Sequence, residues 1–94
     1  MHNMYFKSTE HLCFTQVEDS RRKTAVVLVL PQTQTQSDPW FYALGVIKFW
    51  PAWRKYAFFP NQDTLYDKAC LETIGDVLDE LTAAWREGLK TRKG

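Results

Sequence analysis

The sequence predicts an α+β fold, with an antiparallel sheet of about four strands followed by one long C-terminal amphipathic helix packed on one sheet face. Three observations carry that expectation. Short segments rich in β-branched and aromatic residues, each bounded by turn formers, fill the chain up to about residue 60. Beyond Lys68 the hydrophobic period changes from two to about 3.5. The length of 94 residues, with 45% hydrophobic and 15% aromatic content, suits one core and is too short for two ordinary domains.

Residues 1–11 read as an N-terminal arm of a single domain spanning 1–94. The first strand, 12–18, is followed by a turn through Asp19-Ser20 and Arg21-Arg22-Lys23, and a second strand covers 24–30. That second strand is apolar on both faces, as in a central strand or one whose outer face meets a partner. Pro31 ends it, because proline cannot donate to a ladder. Residues 31–39 form a polar Gln-Thr loop with no apolar anchor, expected to be mobile. In the third strand, 41–49, Phe41, Ala43, Gly45, Ile47 and Phe49 share one face, and Tyr42, Leu44, Val46 and Lys48 the other. Gly45 marks a bulge or a close backbone approach.

A turn at Trp50-Pro51-Ala52-Trp53 leads to the fourth strand, 54–59. Asp63 or Asp67 caps the helix, 68–87, whose stripe is Leu71, Ile74, Leu78, Leu81 and Trp85, widened by Cys70, Val77 and Ala84. Glu72, Asp76, Asp79 and Glu80 make an acidic opposite face that also suits docking on a basic partner. Gly88 is a stop signal, leaving 88–94 as a frayed basic tail. One helix covers only one sheet face. The other would expose apolar groups, which predicts association with a second copy or with another protein.

Several function classes are set aside on composition. The longest apolar run, Ala25 to Leu30, is far short of the roughly 20 residues that cross a bilayer, and the N-terminus lacks a basic leader with an apolar stretch. A cytoplasmic protein with reduced cysteines is the expectation. Cys13 has only His11 nearby and Cys70 no His or Cys partner close in sequence, so no metal site is expected, and no cofactor. Candidate nucleophiles are Ser8, Ser20, Ser37, Cys13 and Cys70, with His2 and His11 as bases. His11 and Cys13 could share a strand face, but ordinary packing is the commoner fate of such a cysteine. No Gly-rich phosphate loop is present. The chain therefore reads as a non-enzyme.

The segment that stands out runs from Lys48 to Tyr56, where Lys48, Arg54 and Lys55 alternate with Trp50, Trp53 and Tyr56 around a sheet turn. Aromatic planes stack on bases and cations hold phosphates in single-strand binders. The same residue types concentrate in protein interfaces. Aromatics flanking a proline are, however, most often a hairpin end folded into the core.

The run Gly45-Val46-Ile47-Lys48-Phe49, then Trp53-Arg54-Lys55-Tyr56-Ala57-Phe58, Pro60, Asp63-Thr64-Leu65-Tyr66-Asp67, Cys70-Leu71 and Ile74 resembles a small protein type carried by tailed phages and prophages. The resemblance covers about residues 45–78, and its motifs are structural. It implies a mobile-element accessory protein, a group in which inhibitors of host defence such as anti-CRISPR proteins are common. It transfers no catalytic residue. The function expected is a non-enzymatic protein-binding module that inhibits a host defence protein or ribonucleoprotein. The alternative is a nucleic-acid or nucleotide binder.

Overall fold

The structure is a computed structural model that describes residues 5–18, 23–32 and 43–92. The strands are β1 (Phe6–Ser8), β2 (Leu12–Val17), β3 (Val26–Pro31), β4 (Gly45–Trp50) and β5 (Lys55–Pro60), followed by the helix α1 (Lys68–Arg92). They form one antiparallel five-stranded sheet in sequence order, a meander that α1 crosses on one face. The Gln-Thr loop from residue 33 onward, the turn at 19–22, His2, Phe41 and Tyr42 lie outside the described residues.

Strand β1 corrects the reading of residues 1–11 as an arm. Three residues are too few for a period-two pattern to register. Tertiary partners hold it instead: Gln16 Oε1 accepts from the Tyr5 amide at 2.8 Å, and Glu80 of α1 accepts from Tyr5 Oη at 2.7 Å and Lys7 Nζ at 2.9 Å. Strand β4 starts at Gly45 rather than Phe41, with Ala43 and Leu44 leading into it.

The register divides the sheet cleanly. Phe14, Val29 and Gly45 lie in one cross-strand row, and Gln16, Val27, Ile47 and Phe58 in the next. Leu12, Phe14, Val27, Val29, Ile47 and Tyr56 meet Ile74, Val77 and Leu81 of α1 to make the main core. The buried helix stripe is therefore Ile74, Val77 and Leu81, flanked by the partly buried Cys70, Leu78 and Trp85. Leu71, placed on that stripe by spacing, is 52% exposed, and Ala84 is exposed too. The stripe is turned toward Val77, because the three-four spacing admits either course and only the sheet chooses between them.

On the other face Leu28, Leu30 and Ala43 form a second, smaller cluster with Cys13, Val17 and Val46 packed around it. The expectation of an open apolar face fails at its centre, since Val26, Leu28 and Leu30 are only 2, 0 and 8% exposed. The argument for association drawn from that exposure falls with it.

Asp67, not Asp63, caps α1: its Oδ1 accepts from the Cys70 amide at 2.8 Å, and that bond holds its carboxyl below the usual range. Asp63 instead takes a left-handed backbone with φ 62° in the turn after β5. Gly88 does not stop the helix, which continues to Arg92. A glycine costs a helix only about 1 kcal/mol relative to alanine, too little to end it where neighbouring residues favour continuation.

Candidate binding surface at the β4–β5 hairpin

The hairpin is closed by the pair Trp50 and Lys55, and its loop is Pro51-Ala52-Trp53-Arg54. Proline pre-sets the first loop position, and the Trp50 carbonyl accepts from the amides of Trp53 at 3.1 Å and Arg54 at 3.0 Å. Arg54 then turns the chain back with φ 55°, a left-handed conformation that glycine or asparagine adopts more easily.

The pleat distributes the six residues singled out in the sequence to opposite sides. Trp50 is 42% and Trp53 63% exposed, and their rings meet edge to face at 6.3 Å. Trp50 also meets Phe59 at 6.0 Å, and Lys48 Nζ stands 4.9 Å above the same Phe59 ring. Lys48, Trp50, Trp53 and Phe59 thus form one continuous aromatic and cationic patch on the outer side of the hairpin tip. Lys55 is exposed beside it.

Tyr56 lies on the inner side and is 6% exposed. Its hydroxyl accepts from the Ala25 amide at 3.2 Å, and burial pushes the phenol up from its usual value. A ring so enclosed offers no stacking plane, which removes Tyr56 from the candidate surface. Arg54 also leaves the patch, because its guanidinium sits 5.5 Å over the ring of Trp85 on α1. Beneath it Trp85 packs at a tilt on Phe49, with ring centroids 4.5 Å apart, and Phe49 meets Tyr56 edge to face at 5.5 Å. Arg54 is exposed, yet it helps hold the helix to the hairpin.

Phe59 is the residue that the sequence reading missed. It sits two positions from Ala57 and opposite Val46, so the register of β4 and β5 would have placed it with Lys48 and Trp50.

Of the candidate nucleophiles and bases, Ser20, Ser37 and His2 lie outside the described residues. Cys13 Sγ lies 3.6 Å from Thr15 Oγ1 on the outer face of β2. His11 precedes β2 and lines, with Cys70 and Thr73, a cavity of about 130 Å³. Burial, then the bond to Asp67, pushes the Cys70 thiol up, which disfavours the nucleophilic thiolate. Among the described residues no group of three or more His, Cys, Asp or Glu is placed to hold a metal ion. Nor, among them, is any helix long and apolar enough to cross a membrane.

The chain is similar to a protein of Acholeplasma phage L2 described as an uncharacterized 9.3 kDa protein, with 33% identity over 78 residues, 83% of this chain and 92% of that protein. No family model matches the chain. No solved structure matches it.

Proposed function

We propose, from the premise that this chain belongs to the family of the uncharacterized 9.3 kDa protein of Acholeplasma phage L2, that it is a small phage-type protein acting by binding another protein, without catalysis, through the outer side of its β4–β5 hairpin. The observation that carries the reading is the Trp50–Trp53 pair, exposed by 42 and 63% while Phe49 and Tyr56 of the same hairpin are packed against α1. Large aromatic surface that the core does not use, backed by the cation of Lys48, has the composition of an interface hot spot. For a phage-type protein the partner class is a host protein or ribonucleoprotein in the cytoplasm. Inhibition of host defence, as anti-CRISPR proteins achieve it, is the outcome this binding would serve.

A second reading has its own support, since Lys48 over Phe59 beside two exposed indoles is also a stacking platform with a phosphate partner. One pair of measurements separates the two. Tagged wild-type protein and Trp53→Ala are used to capture partners from host lysate, and both are titrated with single-stranded oligonucleotides at about 50 and about 200 mM salt, where phosphate-based affinity falls steeply. A protein retained by wild type and lost with Trp53→Ala at an unchanged melting curve supports the protein-binding reading. Steeply salt-dependent oligonucleotide binding that Trp53→Ala and Lys48→Glu abolish replaces it with the second. Capture unaffected by either substitution overturns the assignment of this surface.

A further inference from the structure

We propose that the outer edge of β5, with the groove between it and α1, takes up an extended basic segment of a partner protein as an added strand. This surface adjoins the hairpin patch at Lys55 and does not depend on its tryptophans.

β5 ends the sheet, so no strand covers its far edge. Tyr56 pairs with Phe49, yet its amide donates to Thr82 Oγ1 of α1 at 3.0 Å, so its backbone points away from β4. In an antiparallel pair that direction alternates, so Phe58 faces outward as well. Among the described residues, the Phe58 amide and the carbonyls of Tyr56 and Phe58 meet no hydrogen-bond partner. Such a row is a template for strand addition, with main-chain bonds supplying affinity and flanking side chains specificity.

The flanking side chains belong to a groove of about 710 Å³ whose walls include Lys55, Tyr56, Gly75, Asp76, Asp79 and Arg86. Asp76 and Asp79 have no ion-pair partner among the described residues. Arg86 lies at the other end, about 15 Å along the helix from Asp76 at the usual rise per residue. The groove is therefore polarised, and it complements a segment carrying Lys or Arg where it passes Asp76 and Asp79.

Gly75 gives an independent reason to expect an occupant. It sits inside α1, where glycine is disfavoured, and a Cβ built on it meets nothing within 4 Å. Packing within the chain does not call for glycine there. A partner backbone lying close against the helix would.

The test uses the full chain and an array of extended decapeptides that alternate Val and Thr on one face and vary Lys, Glu or Ser on the other. Lys-bearing peptides should bind at least tenfold more tightly than their Glu counterparts, and the Phe58 amide should gain protection from hydrogen exchange on binding. Gly75→Leu, whose Cβ meets nothing within 4 Å in the chain and whose folding is checked by its melting curve, should abolish binding, and Asp76→Lys with Asp79→Lys should reverse the charge preference. Trp53→Ala should leave all of this unchanged, so that failure of the hairpin reading is seen separately. Absence of binding, equal binding of Lys and Glu peptides, an unprotected Phe58 amide, or full binding by Gly75→Leu would each overturn the proposal. So would a concentration-dependent dimer that Gly75→Leu disperses, since that puts a second copy in the groove.

Discussion

Phe49 and Trp50 are neighbours in β4, yet Phe49 is packed against α1 and Trp50 is exposed on the other side; in β5, Tyr56 is buried while its neighbour Lys55 is exposed. The inner side of the hairpin is held by ring contacts running from Tyr56 through Phe49 to Trp85, with Arg54 above. The outer side carries Trp50, Trp53, Phe59 and Lys48, joined to one another and, among the described residues, in no ring or cation–π contact with the helix. A cluster of one residue type in a sequence is thus not a cluster in space when it lies on strands. The pleat sends alternate residues to opposite faces and splits an aromatic-basic run into a structural half and an available half.

The largest effect that distinguishes the halves is a core truncation. Ile47, fully buried on the inner side, should lose about 2 to 5 kcal/mol of stability as Ile47→Ala, whereas Trp53→Ala should stay within about half a kcal/mol. Urea unfolding measures both, and comparable losses at the two sites would break the distinction.

Overpacking on the inner side comes next. A Cβ on Gly45 would stand 2.5 Å from Phe58 Cε1 and 2.8 Å from the Phe59 carbonyl oxygen, and the carbonyl is backbone that cannot swing aside. Gly45→Ala should therefore destabilise by about 1 to 3 kcal/mol, the usual cost of forcing a packed site apart. A thermal melt that does not move would show that β5 can retreat from β4.

Arg54 sharpens the boundary between the halves, because two effects of similar size oppose one another there. Glycine would relieve about 1 to 2 kcal/mol of left-handed backbone strain at φ 55° and forfeit about 0.5 to 1 kcal/mol of cation–π contact with Trp85. Arg54→Gly should range from neutral to stabilising by about 1.5 kcal/mol, with altered tryptophan fluorescence. A clear destabilisation would mean that the guanidinium contributes more to helix docking than an exposed cation–π contact usually does.

The smallest effect tests how far the inner side extends. Hydrogen bonds from Tyr5 and then Lys7 hold the Glu80 carboxyl below its usual range, so its folded-state pKa lies under the unfolded one. The contribution is present above the unfolded value of about 4.3 and is lost as pH falls through the folded value. Glu80 is half exposed, so solvent screening keeps the effect small. Glu80→Gln should flatten stability against pH below about 4.3, and exchange of the β1 amides should quicken. An unchanged acid limb would show that β1 is held by its ladder alone.

Much of the fold is legible in the sequence because its signals are local. Alternation around Phe14 and Ile47, the three-four spacing of Ile74, Leu78 and Leu81, and proline or acidic residues at the element ends act within a few residues of themselves. Of the hairpin candidates, Lys48, Trp50, Trp53 and Lys55 remain outside the core, while Tyr56 and Arg54 turn to the helix side. Composition could not separate them, since the separation depends on which face α1 covers.

By itself, then, the sequence determined the order and type of the main elements, the change of period that starts α1, and the turn at Pro51. Those follow from backbone sterics and side-chain spacing along one stretch of chain. Tertiary structure alone decided that Phe6–Ser8 is a strand, that Val77 rather than Leu71 faces the sheet, that Leu28 is enclosed, and that Tyr56 on the last strand of the sheet bonds to Thr82 of α1. Each of these is a contact between residues distant in sequence, such as Tyr5 with Glu80 or Tyr56 with Thr82, and its energy exists only once the sheet and helix are together.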